Sequence, residues 1–260
     1  MNDLRVVLLQ LAVQDGEPGA NRARALQLLQ AAPGADLYLL PELWTTGYAH
    51  SSWPAAADRD TPETGAALQR AADARRAAIG GTLLSRDAAG RLVNRFWLFA
   101  PGRAPVTYDK GHLFAPMQED RYLAPGHARV RAPVGGWTTA LSICFDLRFP
   151  EMYRLDALAG AEVFLVPSEW PAERADAMQL FARARAAENQ AFLLLCNRAG
   201  AGADGTLFGG GSLIVRPDGA VQETGPSEEA VLSAVLEGDA VSRLRSQRPL
   251  LPLRRAGLDW

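Results

Sequence analysis

Short apolar segments alternate with segments of helical periodicity along the first two thirds of this chain. Residues 5–13 are almost continuously apolar, which is typical of a strand covered on both faces. Residues 21–31 place apolar side chains at helical spacing. Residues 61–78 begin with Thr-Pro-Glu, which combines an N-cap hydroxyl with a proline at the first helical position. This alternation predicts an α/β protein built in layers.

The middle of the chain has a different pattern. Apolar runs at residues 79–85, 92–100 and 106–109 are separated by turn residues and predict antiparallel hairpins. The other predicted elements are strands at residues 37–40, 138–144, 162–167, 191–197, 211–216 and 230–236, a helix starting near residue 150 and a helix at 175–190. No segment has the composition of a flexible linker, so residues 1–260 are expected to form one domain with a mixed sheet or two sheets.

Composition narrows the range of partners. The 260 residues include 27 Lys and Arg against 29 Asp and Glu, a net charge of −2, so neither nucleic acid nor an anionic membrane is expected as a partner. The only cysteines, Cys144 and Cys196, exclude a disulfide-built scaffold and suit a reducing compartment. The apolar N-terminal run is too short to cross a bilayer and has no basic leader. We therefore expect a cytoplasmic protein.

Three predicted strands end next to a side chain with reactive chemistry. Glu42 follows Leu-Leu-Pro, Lys110 follows Thr-Tyr-Asp, and Cys144 follows Leu-Ser-Ile. Ligands of open α/β sheets bind beyond the carboxyl ends of the strands, so these three groups are expected to meet in one pocket. A thiol there could act as a nucleophile, with Glu42 moving its proton. Lys110 and the backbone N–H of Phe145 could stabilise an oxyanion.

Each of these residues taken singly has an ordinary structural explanation. A lone cysteine at a strand end is commonly an inert core residue, and a lone Glu or Lys is commonly a solvated loop charge. The flanking sequences favour chemistry instead. LPELWTTGY, YDKGHLF and CFDLRFPE, in this order, resemble the three signatures of the nitrilase superfamily of carbon–nitrogen hydrolases. Their spacing also resembles that superfamily, since 68 residues lead from position 42 to 110 and 34 from 110 to 144.

The resemblance implies a fold, a mechanism and a habit of assembly. The fold would be a four-layer α-β-β-α sandwich that pairs through helices into a homodimer or a larger assembly. Glu42 would be the general base, Lys110 the oxyanion-stabilising lysine and Cys144 the nucleophile that forms a thioester. Many members of the superfamily have a second glutamate between the lysine and cysteine motifs. Glu119 is the best match to it, and the adjacent Asp120 is the other candidate. The enzyme would need no cofactor and no metal, and its partner would be a small amide.

The segments YDKGHLF, CFDLRFPEMYR and SEWPAERADAMQLFARARAAENQAF most resemble the omega-amidase branch, whose members hydrolyse dicarboxylic monoamides such as 2-oxoglutaramate. Trp170 would then be a pocket wall, with a core aromatic as the alternative. A substrate carboxylate would need a cation, for which Arg148, Arg174 and Arg198 are candidates, unless Arg148 is a structural partner of Asp146. Deaminated glutathione, N-carbamoyl compounds and aliphatic amides stay open as substrates.

Three other functional hypotheses remain in view. Gly200-x-Gly202-x-x-Gly205 matches a dinucleotide-binding fingerprint, but that interpretation needs a helix to follow, and the next residues are strand-like. A papain-like pairing of the cysteine with His112 is possible in principle. The third hypothesis is a catalytically silent binding protein.

The apolar tail at residues 249–260 is expected to pack on another surface, such as a partner subunit.

Overall fold

A computed structural model of the protein describes residues 2–255. The end of the apolar tail, residues 256–260, lies outside the described residues, and so does the predicted contact of that end with a partner. No helix within residues 2–255 is long and apolar enough to cross a membrane.

Two six-stranded sheets form the centre of the described chain. The first has the order β14-β1-β2-β3-β4-β5 and the second the order β13-β12-β9-β8-β7-β6. The first sheet contains β1 (Leu4–Gln10), β2 (Leu37–Leu39), β3 (Ala78–Arg86), β4 (Leu92–Ala100), β5 (Arg103–Asp109) and β14 (Ala230–Leu236). The second contains β6 (Val130–Val134), β7 (Trp137–Leu141), β8 (Val163–Ser168), β9 (Phe192–Asn197), β12 (Leu213–Val215) and β13 (Val221–Thr224). A separate hairpin joins β10 (Ala199–Ala201) to β11 (Leu207–Gly209).

Helices cover the outer face of each sheet. The α-helices of the described residues are α1 (Pro18–Ala31), α2 (Trp53–Ala55), α3 (Thr61–Arg75), α4 (Glu119–Tyr122), α5 (Pro150–Leu158), α6 (Ala175–Asn189) and α7 (Ala240–Gln247). Leu29 of α1 and Leu68 of α3 share a buried cluster with the first sheet, whereas Tyr153 of α5 and Ala182 of α6 pack with the second. The order of layers is therefore helix, sheet, sheet, helix, as predicted.

Strand β1 shows how the two sheets and the helices share one core. Val6 and Leu8 belong to the cluster between the sheets, whereas Val7 and Leu9 belong to the cluster under α1 and α3. Side chains of a strand alternate between its faces, so a strand buried on both sides must be apolar throughout. This explains why the continuous apolar run marked a central strand.

The central strands of each sheet are parallel, and their carboxyl ends carry the polar residues of interest. Strands β1, β2 and β3 are parallel in one sheet, and β7, β8 and β9 are parallel in the other. The predicted antiparallel pairing of the segments now assigned as β3, β4 and β5 is confirmed. The ends of β2 and β8 meet where the Glu42 N–H approaches the Ser168 carbonyl at 3.5 Å.

Several predicted boundaries were wrong. Strand β1 ends at Gln10 rather than at residue 13, and β7 ends at Leu141, so Cys144 lies in a turn and not in a strand. The sequence interpretation also missed strands β6, β10, β11 and β13 and helices α2, α4 and α7. Edge strands β6 and β13 carry charged side chains, and β6 contains Pro133, so neither has the apolar pattern of a central strand.

Candidate active site

Four functional side chains lie just beyond the ends of four strands. Glu42 follows β2, Lys110 follows β5, Cys144 follows β7, and Glu169 follows β8. All four are buried, and Cys144 retains 6% of its surface exposed. The structure therefore brings together the three residues predicted from the sequence and adds Glu169 to them.

Lys110 lies between two carboxylates. Its Nζ is 2.7 Å from Glu42 Oε1 and 2.7 Å from Glu119 Oε1, and all three side chains are fully buried. Burial opposes a charge on Lys110, but the carboxylates of Glu119 and Glu42 outweigh burial and raise the pKa of this lysine above its usual value. Lys110 is thus an ammonium with donors fixed at the centre of the site.

Both carboxylate oxygens of Glu42 are held in place. Asn94 donates to Oε1 at 2.7 Å, and the Glu169 N–H donates to Oε2 at 3.1 Å. Burial raises the pKa of Glu42, whereas the charge of Lys110 lowers it in part. A carboxylate with a raised pKa is suited to accept and return a proton near neutral pH.

Cys144 begins a 3₁₀ turn, Cys144–Arg148, with φ = 44°. A non-glycine residue in the left-handed region costs conformational energy, and such strain is concentrated at functional sites. Burial, followed by the negative charge of Glu42, raises the pKa of the thiol well above its usual value, and Lys110 lowers it in part. The resting thiol is therefore protonated, and its hydrogen-bond partner Glu42 is the base available to it.

Asp146 joins the loop of Lys110 to the turn of Cys144. Its carboxylate accepts a hydrogen bond from Tyr108 OH at 2.7 Å and another from the backbone N–H of His112 at 3.0 Å. His112 Nδ1 lies 2.7 Å from Asp146 Oδ1, and its ring stacks on Phe149 at 3.6 Å. His112 thus has a structural role, and the papain-like alternative finds no support in this geometry.

Glu119, and not Asp120, completes the buried cluster. Tyr48 OH donates to Glu119 Oε1 at 2.8 Å, and the Phe114 N–H donates to Oε2 at 2.6 Å. Asp120 is exposed. Of the two acids weighed from the sequence, the structure places only Glu119 against Lys110.

Replacing Glu119 by glutamine is expected to lower kcat by about 10- to 100-fold, because a hydrogen bond to a charged group contributes about 1.5–3 kcal/mol. The amide would leave Lys110 with one carboxylate and would orient its ammonium less well. The matched control is Asp120→Asn, for which steady-state kinetics should match those of the wild type. Equal effects of the two changes would contradict the assignment.

The thiol lies at the bottom of a narrow pocket that opens beside a larger cavity. The pocket is lined by Phe114, Cys144, Phe145, Arg148, Glu169, Trp170, Pro171 and Arg174. The outer cavity has a volume of about 700 Å³, does not reach the thiol, and shares Phe114, Pro171 and Arg174 with the pocket. The pocket itself has a volume of about 10 Å³, enough for one water molecule, so a substrate that comes from the outer cavity needs the lining side chains to move aside before it reaches Cys144. Trp170, which the sequence analysis proposed as a pocket wall, is one of the residues that line the pocket of Cys144.

The three candidate arginines occupy different environments. The Arg148 guanidinium lies 5.2 Å from the Trp170 ring centre, and no carboxylate within residues 2–255 pairs with it, so the proposed Asp146 partnership was wrong. The Arg174 guanidinium lies over the ring of Phe114 and is 3.3 Å from the exposed carboxylate of Glu173. Arg198 is fully buried and is held by Asp15 at 2.8 Å. Arg198 lines neither space and was a wrong candidate for contacting a substrate carboxylate.

The glycine-rich segment forms a hairpin and no helix. Gly202 donates to the Thr206 carbonyl at 2.7 Å, and the chain continues directly into β11. A dinucleotide fingerprint needs a helix N-terminus at this place to face the phosphates. The nucleotide hypothesis therefore lacks the structural element on which it depends.

Comparison with known proteins agrees with this geometry. The model of the carbon–nitrogen hydrolase family matches residues 5–245. The chain belongs to the carbon–nitrogen hydrolase family. It is accordingly a hydrolase of carbon–nitrogen bonds, as predicted from the three signatures.

Relatives within the family include amidases that share nearly the whole chain. A 2-oxoglutaramate amidase of Bacillus subtilis is 32% identical over 93% of this chain and 94% of its own. The omega-amidase YafV of Escherichia coli K12 is 32% identical over 96% of each chain. A carbon–nitrogen hydrolase superfamily protein of Xanthomonas campestris, solved with an arsenic adduct in its active site, has a TM-score of 0.93, with 31% identity over 98% of both chains. The four-layer sandwich is thereby confirmed.

Three residues of this hydrolase site were missed by the sequence interpretation. Asn94 is a buried amide within an apolar strand, which signals a specific hydrogen bond. Glu169 directly follows an apolar strand, the same position that singled out the predicted trio. Tyr48 offers no comparable local signal, because its contact with Glu119 joins positions 71 residues apart.

Proposed function

We propose that this hydrolase is an omega-amidase, which releases ammonia from a small dicarboxylic monoamide such as 2-oxoglutaramate through a thioester on Cys144. The observation that carries the proposal is that Glu42 and Lys110 lie beside Cys144, and that the pocket of this thiol has two arginines in its wall. The names of the Bacillus and Escherichia relatives support the choice of substrate class.

Acylation begins when Glu42 takes the proton of the Cys144 thiol. The thiolate attacks the amide carbon, a C–S bond forms, and the carbonyl oxygen becomes an oxyanion. We assign Lys110 and the Phe145 backbone N–H as the donors to this oxygen, and one such donor typically contributes about 2.7–4 kcal/mol in the transition state. Glu42 then gives the proton to the nitrogen, the C–N bond breaks, and ammonia leaves a thioester behind.

Deacylation uses the same groups in the reverse order. Glu42 removes a proton from a water molecule, and the resulting hydroxide attacks the thioester carbon. The second oxyanion is stabilised by the same two donors. When the C–S bond breaks, the sulfur recovers a proton from Glu42, and the free carboxylic acid is released. Glu119 keeps the Lys110 ammonium in position during both steps.

The substrate carboxylate is assigned to the arginine wall of the pocket. Arg148 has no acid partner within residues 2–255 and is held by aromatic rings, so its charge is available to an anionic substrate. Arg174 stands at the junction of the pocket and the outer cavity and supplies a second positive charge. Bidentate recognition by arginine suits a carboxylate at the far end of a short acyl chain.

Replacing Arg148 by methionine is expected to raise KM for a dicarboxylic monoamide by about 10- to 100-fold, since a charge-assisted pair contributes about 1.5–3 kcal/mol. KM for a neutral amide of the same chain length should change little. A coupled ammonia assay on both substrates measures this difference. Arg154→Met, on helix α5 and outside the pocket lining, is the matched control.

The same assay decides among the other substrates that remain open. Preference for a neutral aliphatic amide, an N-carbamoyl compound or deaminated glutathione would contradict the omega-amidase proposal and keep the thiol mechanism. A catalytically silent binding protein would release no ammonia from any of them.

Location and assembly are part of the same proposal. We place the enzyme in the cytoplasm, because the mechanism requires Cys144 to stay reduced.

We also propose a homodimer or a larger homo-oligomer, supported by exposed apolar side chains on helices α5 and α6. Leu155 is 46% exposed, Leu158 45% and Leu180 65%. Exposed apolar side chains on two helices that pack against each other are typical of subunit contacts.

A further inference from the structure

We infer that Glu169 recognises the leaving group: one oxygen of its carboxylate accepts an N–H of the substrate amide, which selects primary amides over esters. The inference rests on the proposed function and deepens it, because it assigns a specificity-determining residue to the Cys144 pocket.

The position of Glu169 ties it to both reacting groups of the enzyme. It directly follows β8, lines the pocket together with Cys144, and has a fully buried side chain. Its backbone N–H donates to Glu42 Oε2 at 3.1 Å and also hydrogen-bonds to the Cys144 thiol. An amide carbon bonded to the sulfur would therefore carry its nitrogen close to this residue.

The carboxylate of Glu169 is held firmly at one oxygen and left free at the other. Arg198 Nη1 donates to Oε1 at 3.3 Å. The guanidinium is itself fixed by Asp15 at 2.8 Å and by the Val13 carbonyl at 2.7 Å. Oε2 is buried and has no hydrogen-bond partner within the described residues. A buried acceptor without a donor is costly, so a ligand that supplies an N–H gains binding energy there.

The neighbouring carboxylates cannot serve this purpose equally well. Both oxygens of Glu42 already accept hydrogen bonds, from Lys110 and Asn94 on Oε1 and from a backbone N–H on Oε2. Both oxygens of Glu119 are likewise occupied. A primary amide brings two N–H donors into the pocket, and among the carboxylate oxygens of Glu42, Glu119 and Glu169 only Glu169 Oε2 has no donor within residues 2–255. An ester with the same acyl group brings no donor.

The test compares a dicarboxylic monoamide with the methyl ester of the same acyl group. Glu169→Gln should lower kcat/KM for the amide substrate by about 10- to 100-fold, mainly through KM. The glutamine NH₂ group would point either at the N–H of the substrate or at the guanidinium of Arg198, and in both cases two donors would face each other. The rate on the ester should change less than about threefold. The matched control is Glu162→Gln, at the opposite end of β8, which should leave the ratio of the two substrates unchanged.

Equal losses on amide and ester in Glu169→Gln would overturn the inference, because they would mean that Glu169 only supports the fold of the site. If that variant fails to fold, the wild type still provides the test. It should hydrolyse the N,N-dimethyl amide, which has no N–H, at least about tenfold more slowly than the N-methyl amide, which keeps one, and equal rates would overturn the inference. Failure of the proposed function looks different: activity on both substrates would then survive replacement of Cys144.

Discussion

Replacing Cys144 by alanine is expected to lower kcat for ammonia release by about 10⁴-fold or more, the scale seen when a catalytic nucleophile is removed. No other thiol in the chain can take its place, because Cys196 is fully buried in strand β9. A coupled ammonia assay measures the loss. Since Cys144 is nearly buried and alanine is smaller, the far-UV circular dichroism spectrum should stay that of the wild type.

The matched control for this change is Cys196→Ala. It removes the other thiol and leaves a small cavity in the core, so the melting temperature should fall while activity persists. Ammonia release by Cys144→Ala at a rate near that of the wild type would contradict the thioester mechanism. Loss of activity in both variants with loss of secondary structure would indicate a folding defect, which the dichroism spectra separate from a chemical one.

Replacing Lys110 by methionine is expected to produce the second largest effect, on both rate and stability. The loss of an oxyanion donor should lower kcat by about 10²- to 10³-fold. The same change leaves the carboxylates of Glu42 and Glu119 buried without their shared cation. Removing one partner of a buried ion pair costs about 3–5 kcal/mol, which thermal or urea unfolding would measure.

The stability defect of this variant should depend on pH in a defined direction. Burial already raises the pKa of Glu42, and Lys110 is the charge that lowers it. Without Lys110 the folded-state pKa rises further above the unfolded value. The folded variant then binds protons more readily than the unfolded chain, so its stability should be greatest at low pH and fall as the pH rises through the folded pKa. A melting temperature deficit that grows towards acid pH would contradict this electrostatic account.

The central parallel strands, and Glu42 and Cys144 beyond them, were predictable because a strand buried on both faces is apolar throughout and makes a polar residue beyond its end conspicuous. Lys110 follows the antiparallel edge strand β5, and its flanking signature identified it. Strand β4 is also antiparallel and was predicted with its observed bounds because turn residues flank it on both sides. The flanking signatures then supplied the four-layer order, which periodicity alone did not determine.

The parts that escaped prediction depend on contacts between distant segments. Asn94 contributes through a hydrogen bond to Glu42, 52 residues away, and Arg198 is occupied by Asp15, 183 residues away. Neither partnership leaves a local pattern. The choice between Glu119 and Asp120 likewise needed the fold, because adjacent acids look alike until one is buried against Lys110 and the other faces solvent.

The most direct test of the central claim is rapid-quench mass spectrometry of the wild-type protein during turnover of a dicarboxylic monoamide. The account predicts a transient mass increase equal to the acyl group, located by peptide mapping on Cys144 and absent from Cys144→Ala. Turnover without any acyl adduct, or an adduct on another residue that survives in Cys144→Ala, would contradict it.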